Sequence, residues 1–337
     1  MTLDIIIPHY REPLDVCRYL FDSIALQRGI NFDDLHVIMV NDGWFNECNF
    51  ELYELEENIL SHCPFETEVF FKEHEGVSAA RNYGLDRSKA DYVMFCDADD
   101  GFLNNYGLHA IFAAMNEGFD VFMPNFVEEY KDQDGNLQIV GHNEDLTFIH
   151  GKVYRRKFLE ENGLRFDDSL TIHEDGYFNM LVYSTVQATG GKLKKISTPI
   201  YLWRWNDNST VRADREDYVL KTYDHVMASR TAISRIQKQR GYDEFYRAAV
   251  GMTVLNSYYD FQKTRYHMAK NAKYLREAEK AFRRYWMEFR GTFNDLTNQY
   301  IAELAVTARA NAVKNGMLME QTDLRTFLKH IEYEVKP

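Results

Sequence analysis

The chain has 337 residues, of which 45% are hydrophobic and 27% are charged, a composition that excludes an intrinsically disordered protein. Its formal net charge of −13 disfavours nonspecific binding to nucleic acid. The sequence has no run of about 18 apolar residues and no signal peptide at its N-terminus, so we expect a cytoplasmic protein without an integral membrane span. The four cysteines lack CxxC spacing, which indicates reduced thiols rather than a zinc site.

The first half of the chain alternates short apolar runs with amphipathic segments. The runs predict buried strands at residues 3–7, 36–40, 67–71, 92–96 and 120–124. Apolar residues at fourfold spacing predict a helix after the first strand, and Ser78 is expected to cap another helix. This alternation predicts an α/β fold with a mostly parallel sheet. Such sheets bind ligands at the carboxyl ends of their strands, where Pro8, Asp42 and Asp97 are expected to converge.

The second half of the chain has a different pattern. Residues 200–336 contain no proline, and from about residue 216 their apolar residues recur at helical spacing. We therefore predict two domains, at residues 1–215 and 216–337, the second a module of four to six helices with stops at Gly241 and Gly291. The charge divides in the same way, because the first domain has 19 basic and 37 acidic residues and the second has 20 and 15.

Three carboxylates, Asp97, Asp99 and Asp100, follow the strand predicted at residues 92–96. Carboxylates this close repel one another unless a cation or a hydrogen-bond network holds them. One interpretation is a capped turn between a strand and a helix. The other is a site for Mg²⁺ or Mn²⁺, which take oxygen ligands and commonly bind through one or two carboxylates and the phosphates of a substrate.

Five short motifs occur in order along the first part of the chain. They are IIIPHY at 5–10, VNDG at 40–43, GVSAARNYGL at 76–85, FCDADD at 95–100 and HEDGYF at 173–178. Together they resemble the family 2 glycosyltransferases with the GT-A fold, over roughly residues 3–212. The resemblance implies a Rossmann-like GT-A domain and inverting transfer of a sugar from a nucleotide diphosphate donor, usually a UDP-sugar, to an acceptor hydroxyl.

The resemblance implies a nucleotide-binding role for residues of the first four motifs. Pro8 and Tyr10 would border the nucleotide pocket, and Asp42 would hydrogen-bond the base. Arg81 would lie near the base or the diphosphate, and Asp97 would face the ribose and the metal.

The resemblance also implies which residues carry the chemistry. Asp99, together with Asp97, would bind Mn²⁺ or Mg²⁺, and Asp175 would be the catalytic base. Physical chemistry agrees with this division, because a divalent cation offsets the charge that grows on the departing nucleoside diphosphate. An inverting reaction needs a separate base on the opposite face to take the proton of the acceptor. Glu174 and Asp175 are also typical of a helix N-terminus, and the two interpretations are compatible.

Further residues are candidate contacts to the acceptor or to the diphosphate. They are His150, Lys152, His173, Glu174, Trp203, Trp205 and Arg212. The alternative for His173 is a solvent-facing loop, and the alternative for the two tryptophans is core packing rather than stacking on a sugar ring. Residues 201–205 are similar to the Gln-x-x-Arg-Trp motif of processive polysaccharide synthases, but Tyr201 replaces the glutamine. With no membrane span as well, a polymer-extruding synthase is disfavoured.

The acceptor and the role of the second domain stay open. A cell-surface glycan, a teichoic-acid-like polymer and a lipid-linked sugar are the acceptors we consider, and nucleic acid is not favoured. Residues 263–290 are basic and aromatic. They are compatible with a solvated helix face, with an anionic acceptor or peripheral contact at the inner face of a membrane, and with a homo-oligomer.

Two alternatives to a transferase differ from it in class. One is a noncatalytic nucleotide-sugar-binding protein on the same fold, against which the acidic residues of the fourth and fifth motifs argue. The other is a nucleotidyltransferase, which would need a glycine-rich, basic phosphate loop near the N-terminus. Residues 8–11 do not provide that loop.

Overall fold

The computed structural model describes residues 1–43, 55, 57–207, 222–266, 268–314, 317, 320 and 322–335, except the side chains of residues 263–272. The chain divides into two compact units, Met1–Ser209 and Thr210–Pro337. The domain boundary predicted at 215/216 lies among residues 208–221, outside the described residues, and so does Arg212. Both therefore stay predictions.

Strands and helices alternate along the first unit. Its strands are β1 (Leu3–His9), β2 (Leu35–Asp42), β3 (Glu66–Lys72), β4 (Tyr92–Phe95), β5 (Gly101–Phe102), β6 (Val121–Lys131), β7 (Leu137–His142), β8 (Val153–Arg155) and β9 (Leu193–Trp203). Its helices are α1 (Leu14–Ala25), α2 (Val77–Arg87), α3 (Gly107–Glu117), α4 (Arg156–Glu161) and α5 (Glu174–Thr189), with short 3-10 turns at Phe32–Asp34 and Leu60–His62. The predicted α/β alternation is confirmed.

The strands form one mixed sheet in the order β3-β2-β1-β4-β8-β6-β9-β5, with β7 paired to β6. The pairs β3–β2, β2–β1 and β1–β4 are parallel, as predicted, and so is the pair β6–β9. Beyond β4 the sheet is less parallel than expected, because β8 runs antiparallel to β4 and β6, and β5 and β7 run antiparallel to their neighbours. Strands β5 and β8 have two and three residues, too few to give a periodic pattern in the sequence.

The register brings the ends of the central strands level at one edge of the sheet. Pro8 of β1 pairs with Val40 of β2, and β4 runs alongside β1 in the same direction. These strands are almost completely buried, as expected for a parallel sheet covered on both faces. Tyr10, Asp42 and Asp97 therefore emerge at the same edge.

Helix α2 carries the third motif and packs directly on β1. The expectation that Ser78 caps this helix is wrong, because Ser78 lies inside it and donates a hydrogen bond of 3.0 Å to the carbonyl oxygen of Leu170. Gly84 allows the close approach of helix and strand, since a Cβ there would lie 2.4 Å from Cγ2 of Ile6. Arg81, one turn earlier in the same helix, is also buried.

The second unit is helical, as predicted. Its described helices are α6 (Tyr223–Gln239), α7 (Asp243–Tyr266), α8 (Met268–Asn294), α9 (Asn298–Lys314) and α10 (Leu324–Tyr333). Aromatic residues form its core, in which Phe261 and Phe282 pack against Phe327 at ring-centroid distances of 5.4 and 5.6 Å. Gly241, at φ +72°, follows the end of α6 as predicted, whereas the stop predicted at Gly291 is wrong because α8 continues through it. In the described part of the chain, no helix has both the length and the apolar character that crossing a membrane requires.

Candidate active site

The carboxylate of Asp42, at the end of β2, is buried and holds the segment that follows β3. Its Oδ1 accepts hydrogen bonds from Lys72 Nζ at 2.7 Å and from the Glu75 N–H at 3.0 Å. Its Oδ2 accepts the Gly76 N–H at 2.8 Å and lies 2.8 Å from His74 Nδ1, which donates in the corresponding tautomer. Burial acts to raise the pKa of Asp42, but the hydrogen bonds from Lys72 and the backbone lower it overall, so the group is charged at neutral pH.

Four donors fill the usual acceptor sites of a carboxylate, so Asp42 organises one wall of the site. The predicted contact of Asp42 with a nucleotide base would have to be made alongside these bonds, and it stays a prediction.

Tyr10 and His74 form the exposed part of the same wall. Their rings stack at a centroid distance of 4.0 Å and an interplanar angle of 15°. Gly43, at φ +102°, permits this arrangement, because a Cβ there would lie 2.3 Å from the Cβ of His74. Tyr10 is 39% exposed, whereas Pro8 is buried within β1. The stacked pair therefore offers an aromatic surface of the kind against which planar rings bind.

Arg81 links the fourth motif to the fifth. Its Nη2 donates to Oδ1 of Asp97 at 2.7 Å, and its Nη1 donates to Oδ1 of Asp175 at 2.7 Å and to Oε1 of Glu174 at 3.0 Å. The guanidinium is 2% exposed and packs over the ring of Phe166 at 5.3 Å. Burial acts to lower the pKa of Arg81, but the three carboxylates raise it overall, so the group is always charged. One buried cation thus joins acidic groups from distant parts of the chain.

Asp175 lies in the first turn of α5, where its carboxylate is fixed from two sides. Oδ1 accepts the bond from Arg81, and Oδ2 accepts the backbone N–H of Ile149 at 3.1 Å. Burial raises the pKa of Asp175 to about 7; Arg81 opposes this shift, whereas Glu174 and Asp97 add to it. The carboxylate can therefore exchange a proton near neutral pH, as a general base must.

Strand β9 and the segment that follows it hold the acidic turn after β4. The hydroxyl of Tyr201 donates to Oδ2 of Asp100 at 2.8 Å and accepts the N–H of Asp97 at 3.2 Å. Oδ1 of Asp100 accepts a backbone N–H from the segment after β9 at 2.9 Å, and Oδ2 of Asp99 accepts from Asn206 Nδ2 at 2.8 Å. This role of Tyr201 was not predicted, because in the sequence the residue stands out only as a departure from another motif.

Side chains that could hold a divalent cation meet at this turn. Ligand atoms of Asp97, Asp100 and His150 lie within 4.8 Å of one another. His150 is buried, and among the described residues its Nδ1 has no hydrogen-bond partner; the atom lies 3.6 Å from Oδ2 of Asp100. Burial lowers the pKa of His150 to about 3, so the ring is neutral. A neutral imidazole beside two carboxylates is a donor set that Mn²⁺ accepts, and the residues therefore fit a metal.

The structure places the two predicted metal ligands differently. Asp97 belongs to the group with Asp100 and His150, whereas Asp99 lies outside that group as far as the described residues show, and bonds to Asn206. Burial and the charges of Asp99 and Asp97 raise the pKa of Asp100 well above its usual range. A bound cation would reverse that shift, since a positive charge favours the ionised carboxylate.

The segment that contains His150 and Lys152 lies beside Asp175, through the bond from the Ile149 N–H. Lys152 is fully buried, and its Nζ lies 3.7 Å from Oδ1 of Asp145. Burial lowers the pKa of Lys152 to about 8, while Asp145 and Asp175 act in the opposite direction. The carboxylates of Asp145 and Asp175 therefore favour the charged form of Lys152.

The two tryptophans differ in their surroundings. Trp203 packs inside the unit, with its ring centroid 4.9 Å from that of His150 and 5.0 Å from that of Phe148. Trp205 donates from Nε1 to Oδ1 of Asp207 at 2.8 Å and lies under Lys131 Nζ at 4.9 Å. These contacts favour core packing for Trp203 and keep Trp205 as the candidate for stacking on a sugar.

His173 precedes the carboxylates of the fifth motif. It takes a left-handed backbone conformation, at φ 64°, as the N-cap residue of α5. Such a conformation is uncommon for a residue other than glycine. His173 is partly exposed, and its predicted contact with an acceptor or a metal stays a prediction.

Glu12 is a further carboxylate of the site and was not predicted from the sequence. Its Oε2 accepts the N–H of Tyr10 at 2.6 Å, and the residue between them, Arg11, has φ +66°. Burial raises the pKa of Glu12 to about 7, and the charges of Asp99 and Asp97 add to the shift. Its position in the sequence could have indicated this role, because Glu12 comes two residues after the first motif and therefore lies near the end of a strand.

Comparison with known proteins relates the sequence to described families. The model of glycosyl transferase family 2 matches residues 4–181. The uncharacterized glycosyltransferase EpsJ of Bacillus subtilis is 24% identical over 233 residues, which cover 61% of this chain and 62% of EpsJ. The minor teichoic acid biosynthesis protein GgaB of B. subtilis is 25% identical over 205 residues, which cover 55% of this chain and 21% of GgaB. The chain thus spans less than two thirds of each of these relatives.

Comparison with solved structures supports the fold. The crystal structure of residues 1–349 of S. aureus TarS has a TM-score of 0.59 and 17% sequence identity, over 98% of this chain and 91% of the TarS chain. The same fragment has been solved in complex with UDP and in complex with UDP-GlcNAc. Since the family match covers more than half of the chain, the chain belongs to glycosyltransferase family 2 and has the GT-A fold.

Proposed function

We propose that the first unit is an inverting, metal-dependent glycosyltransferase that moves a sugar from a UDP-sugar to an acceptor hydroxyl. The observation that carries the proposal is the Arg81 network, in which one buried guanidinium binds both Asp97 and Asp175. Such a reaction needs one carboxylate near the departing diphosphate and a second to take the proton of the acceptor. The network supplies both within one site.

Asp175 is the base in this proposal. The acceptor hydroxyl attacks the anomeric carbon of the donor sugar, the bond from that carbon to the diphosphate breaks, and the hydroxyl proton passes to Asp175. A pKa of about 7 balances basic strength against the fraction that is ionised near neutral pH. The bonds from Arg81 and the Ile149 N–H fix the direction of the carboxylate before the substrate arrives.

Asp97, Asp100 and His150 would hold the Mn²⁺ or Mg²⁺ ion, and Asp99 is the further ligand that the family pattern favours. A divalent cation supplies positive charge that offsets the leaving diphosphate. The surrounding residues would fix the orientation of the metal ligands, because Tyr201 donates a hydrogen bond to Asp100 and Arg81 donates one to Asp97.

The wall formed by Tyr10, Asp42 and His74, with Pro8 beneath it in β1, is the proposed nucleotide subsite. The stacked rings suit a planar base, and Asp42 with Lys72 suits a polar edge. The complexes of TarS with UDP and UDP-GlcNAc support a UDP-sugar as the donor class.

The proposed acceptor is a cell-surface glycan, a teichoic-acid-like polymer or a lipid-linked sugar, reached from the cytoplasm with peripheral contact at the membrane. The support is the name of the relative GgaB, a minor teichoic acid biosynthesis protein. The candidate acceptor-side residues that keep partial exposure in the described chain are His173, Glu174 and Trp205, whereas Lys152 is fully buried.

A thermal-shift panel of nucleotide sugars with and without Mn²⁺ tests the donor site. We expect a UDP-sugar with Mn²⁺ to raise the melting temperature by mass action, because the ligand binds the folded chain. His150→Ala should remove the part of the shift that depends on Mn²⁺, whereas the control His62→Ala, at an exposed position in a 3-10 turn, should not. A panel in which no nucleotide sugar raises the melting temperature would contradict the proposal. Binding without transfer or hydrolysis would favour the noncatalytic alternative.

A further inference from the structure

A polar cavity lies within the helical unit. Its volume is 260 Å³, and its walls come from helices α6, α7 and α9. The lining residues that matter here are Tyr223, Arg230, Asn256, Ser257, Asp260 and Asn311. Sites for small molecules usually measure about 300–1,000 Å³, so this cavity suits a single small ring rather than a nucleotide.

Helix α7 turns a polar stripe towards this cavity. Thr253, Asn256, Ser257 and Asp260 recur at intervals of three and four residues, so they share one face of the helix. Thr253 and Ser257 are 2% and 1% exposed. Ser257 Oγ accepts the hydroxyl of Tyr223 at 2.7 Å, and Thr253 hydrogen-bonds the hydroxyl of Tyr285. Asn256 is partly exposed and Asp260 is exposed, so this end of the polar stripe is open to a ligand from solvent.

The charges of the lining residues indicate which chemical class of ligand the cavity could bind. Among the described lining residues, the charged ones are Arg230 and Asp260. Burial lowers the pKa of Arg230, and the charge of Asp260 acts against that shift. Because the two charges oppose each other, the described lining of the cavity has no surplus positive charge for a phosphate. Asn256 and Asn311 add amides, each of which both donates and accepts hydrogen bonds.

We propose that this cavity binds a saccharide unit and is distinct from the nucleotide-sugar site of the first unit. Saccharide hydroxyls both donate and accept hydrogen bonds, as the amides of Asn256 and Asn311 do, and Tyr223 and Tyr259 contribute aromatic surface to the cavity wall. The unit is either a free monosaccharide or part of a glycan chain, which share this chemistry. The proposal does not depend on sugar transfer, because binding alone is measured.

The test is ligand-observed NMR on the full chain, with UDP and Mn²⁺ present in excess to fill the donor site. The probes are glucose, N-acetylglucosamine, maltotetraose, chitotetraose and inorganic phosphate. Asn311→Leu places an apolar side chain in the cavity wall at an exposed position of α9, and Ala302→Leu is the matched control, since nine residues place it on the opposite side of the same helix. We expect at least one sugar to bind, and Asn311→Leu to weaken that binding by about tenfold or more.

Each outcome decides the question. Binding of a monosaccharide supports a single-unit site, and binding of a tetramer alone supports a site for a glycan chain, provided that Asn311→Leu weakens it and Ala302→Leu does not. The proposal is overturned if no sugar binds, if the two variants behave alike, or if phosphate binds in place of sugar. A UDP-sugar thermal shift that survives in Asn311→Leu shows that such a failure leaves the proposed function of the first unit intact.

Discussion

The two units hold their polar groups in different ways. In the first unit, turns after strands bring acidic neighbours together, and the single guanidinium of Arg81 joins Asp97, Glu174 and Asp175. In the second unit, the polar groups of the cavity are spread along helices α6, α7 and α9. A site at strand ends therefore leaves short motifs in the sequence, whereas a site between helices leaves only single polar residues at intervals of three and four.

The basic stretch of the second unit also differs from the site of the first. Arg284 Nη2 lies 2.6 Å from Oδ1 of Asp224, and Arg290 Nη1 lies 2.5 Å from Oε1 of Glu332. Both pairs are partly or largely solvent-exposed, and such pairs contribute little to stability. They support the interpretation of a solvated helix face, while an anionic acceptor, a membrane surface and a homo-oligomer stay predictions.

The largest effect is expected from Arg81→Met. The substitution leaves Asp97, Glu174 and Asp175 without their shared cation, and removing one partner of a buried ion pair typically costs about 3–5 kcal/mol. We expect a loss of that size in the free energy of unfolding, measured by denaturant titration, together with loss of transfer. Arg81→Lys keeps the charge and should lose less stability. Unchanged stability in Arg81→Met would show that the network does not hold the site together.

Two Gly→Ala substitutions, one in each unit, compare the packing of the two units. Their expected effects on stability are smaller than that of Arg81→Met. Gly84→Ala would place a Cβ 2.4 Å from Ile6, which we expect to cost about 1–3 kcal/mol of unfolding free energy. Gly291→Ala adds a methyl group where nothing lies within 4 Å, inside α8, and should stabilise by about 0.4–1 kcal/mol. Denaturant unfolding of both variants measures whether each substitution lowers or raises the free energy of unfolding. A neutral Gly84→Ala would argue against the close packing of α2 on β1, and a destabilised Gly291→Ala would argue that α8 ends earlier.

The parts of the fold that follow from local pattern could be predicted. Apolar runs located the parallel strands β1 to β4 and the start of β6 but not β9, and the motifs identified Asp97 and Asp175, which the structure joins through Arg81. The local pattern misled at Ser78 and Gly291, because hydroxyl and glycine residues are also accommodated inside helices when tertiary contacts or solvent allow it.

What could not be predicted depends on contacts between distant residues. The bond from Tyr201 to Asp100 joins β9 to the acidic turn, and no spacing in the sequence encodes it. The meeting of His150 with Asp97 likewise results from the sheet order rather than from a motif. Strands β5 and β8 are too short to show a period. These features become visible only when the chain is folded.

The pH dependence of transfer follows from the state of Asp175. The base must be ionised, and its pKa is raised to about 7, so activity should be low in acid and rise with pH. Below that value the rate should change by about tenfold per pH unit, and above it the rate should level off.

The central claim is that Asp175 takes the acceptor proton within the Arg81 network. The most direct measurement compares the rate of sugar transfer by Asp175→Asn with that of wild type at pH values below and above the pKa of Asp175. UDP binding is measured on the same samples. The account predicts a rate lowered by about 10²–10⁴-fold, a flattened pH profile and unchanged UDP binding. A variant that keeps the wild-type rate and pH profile would contradict it.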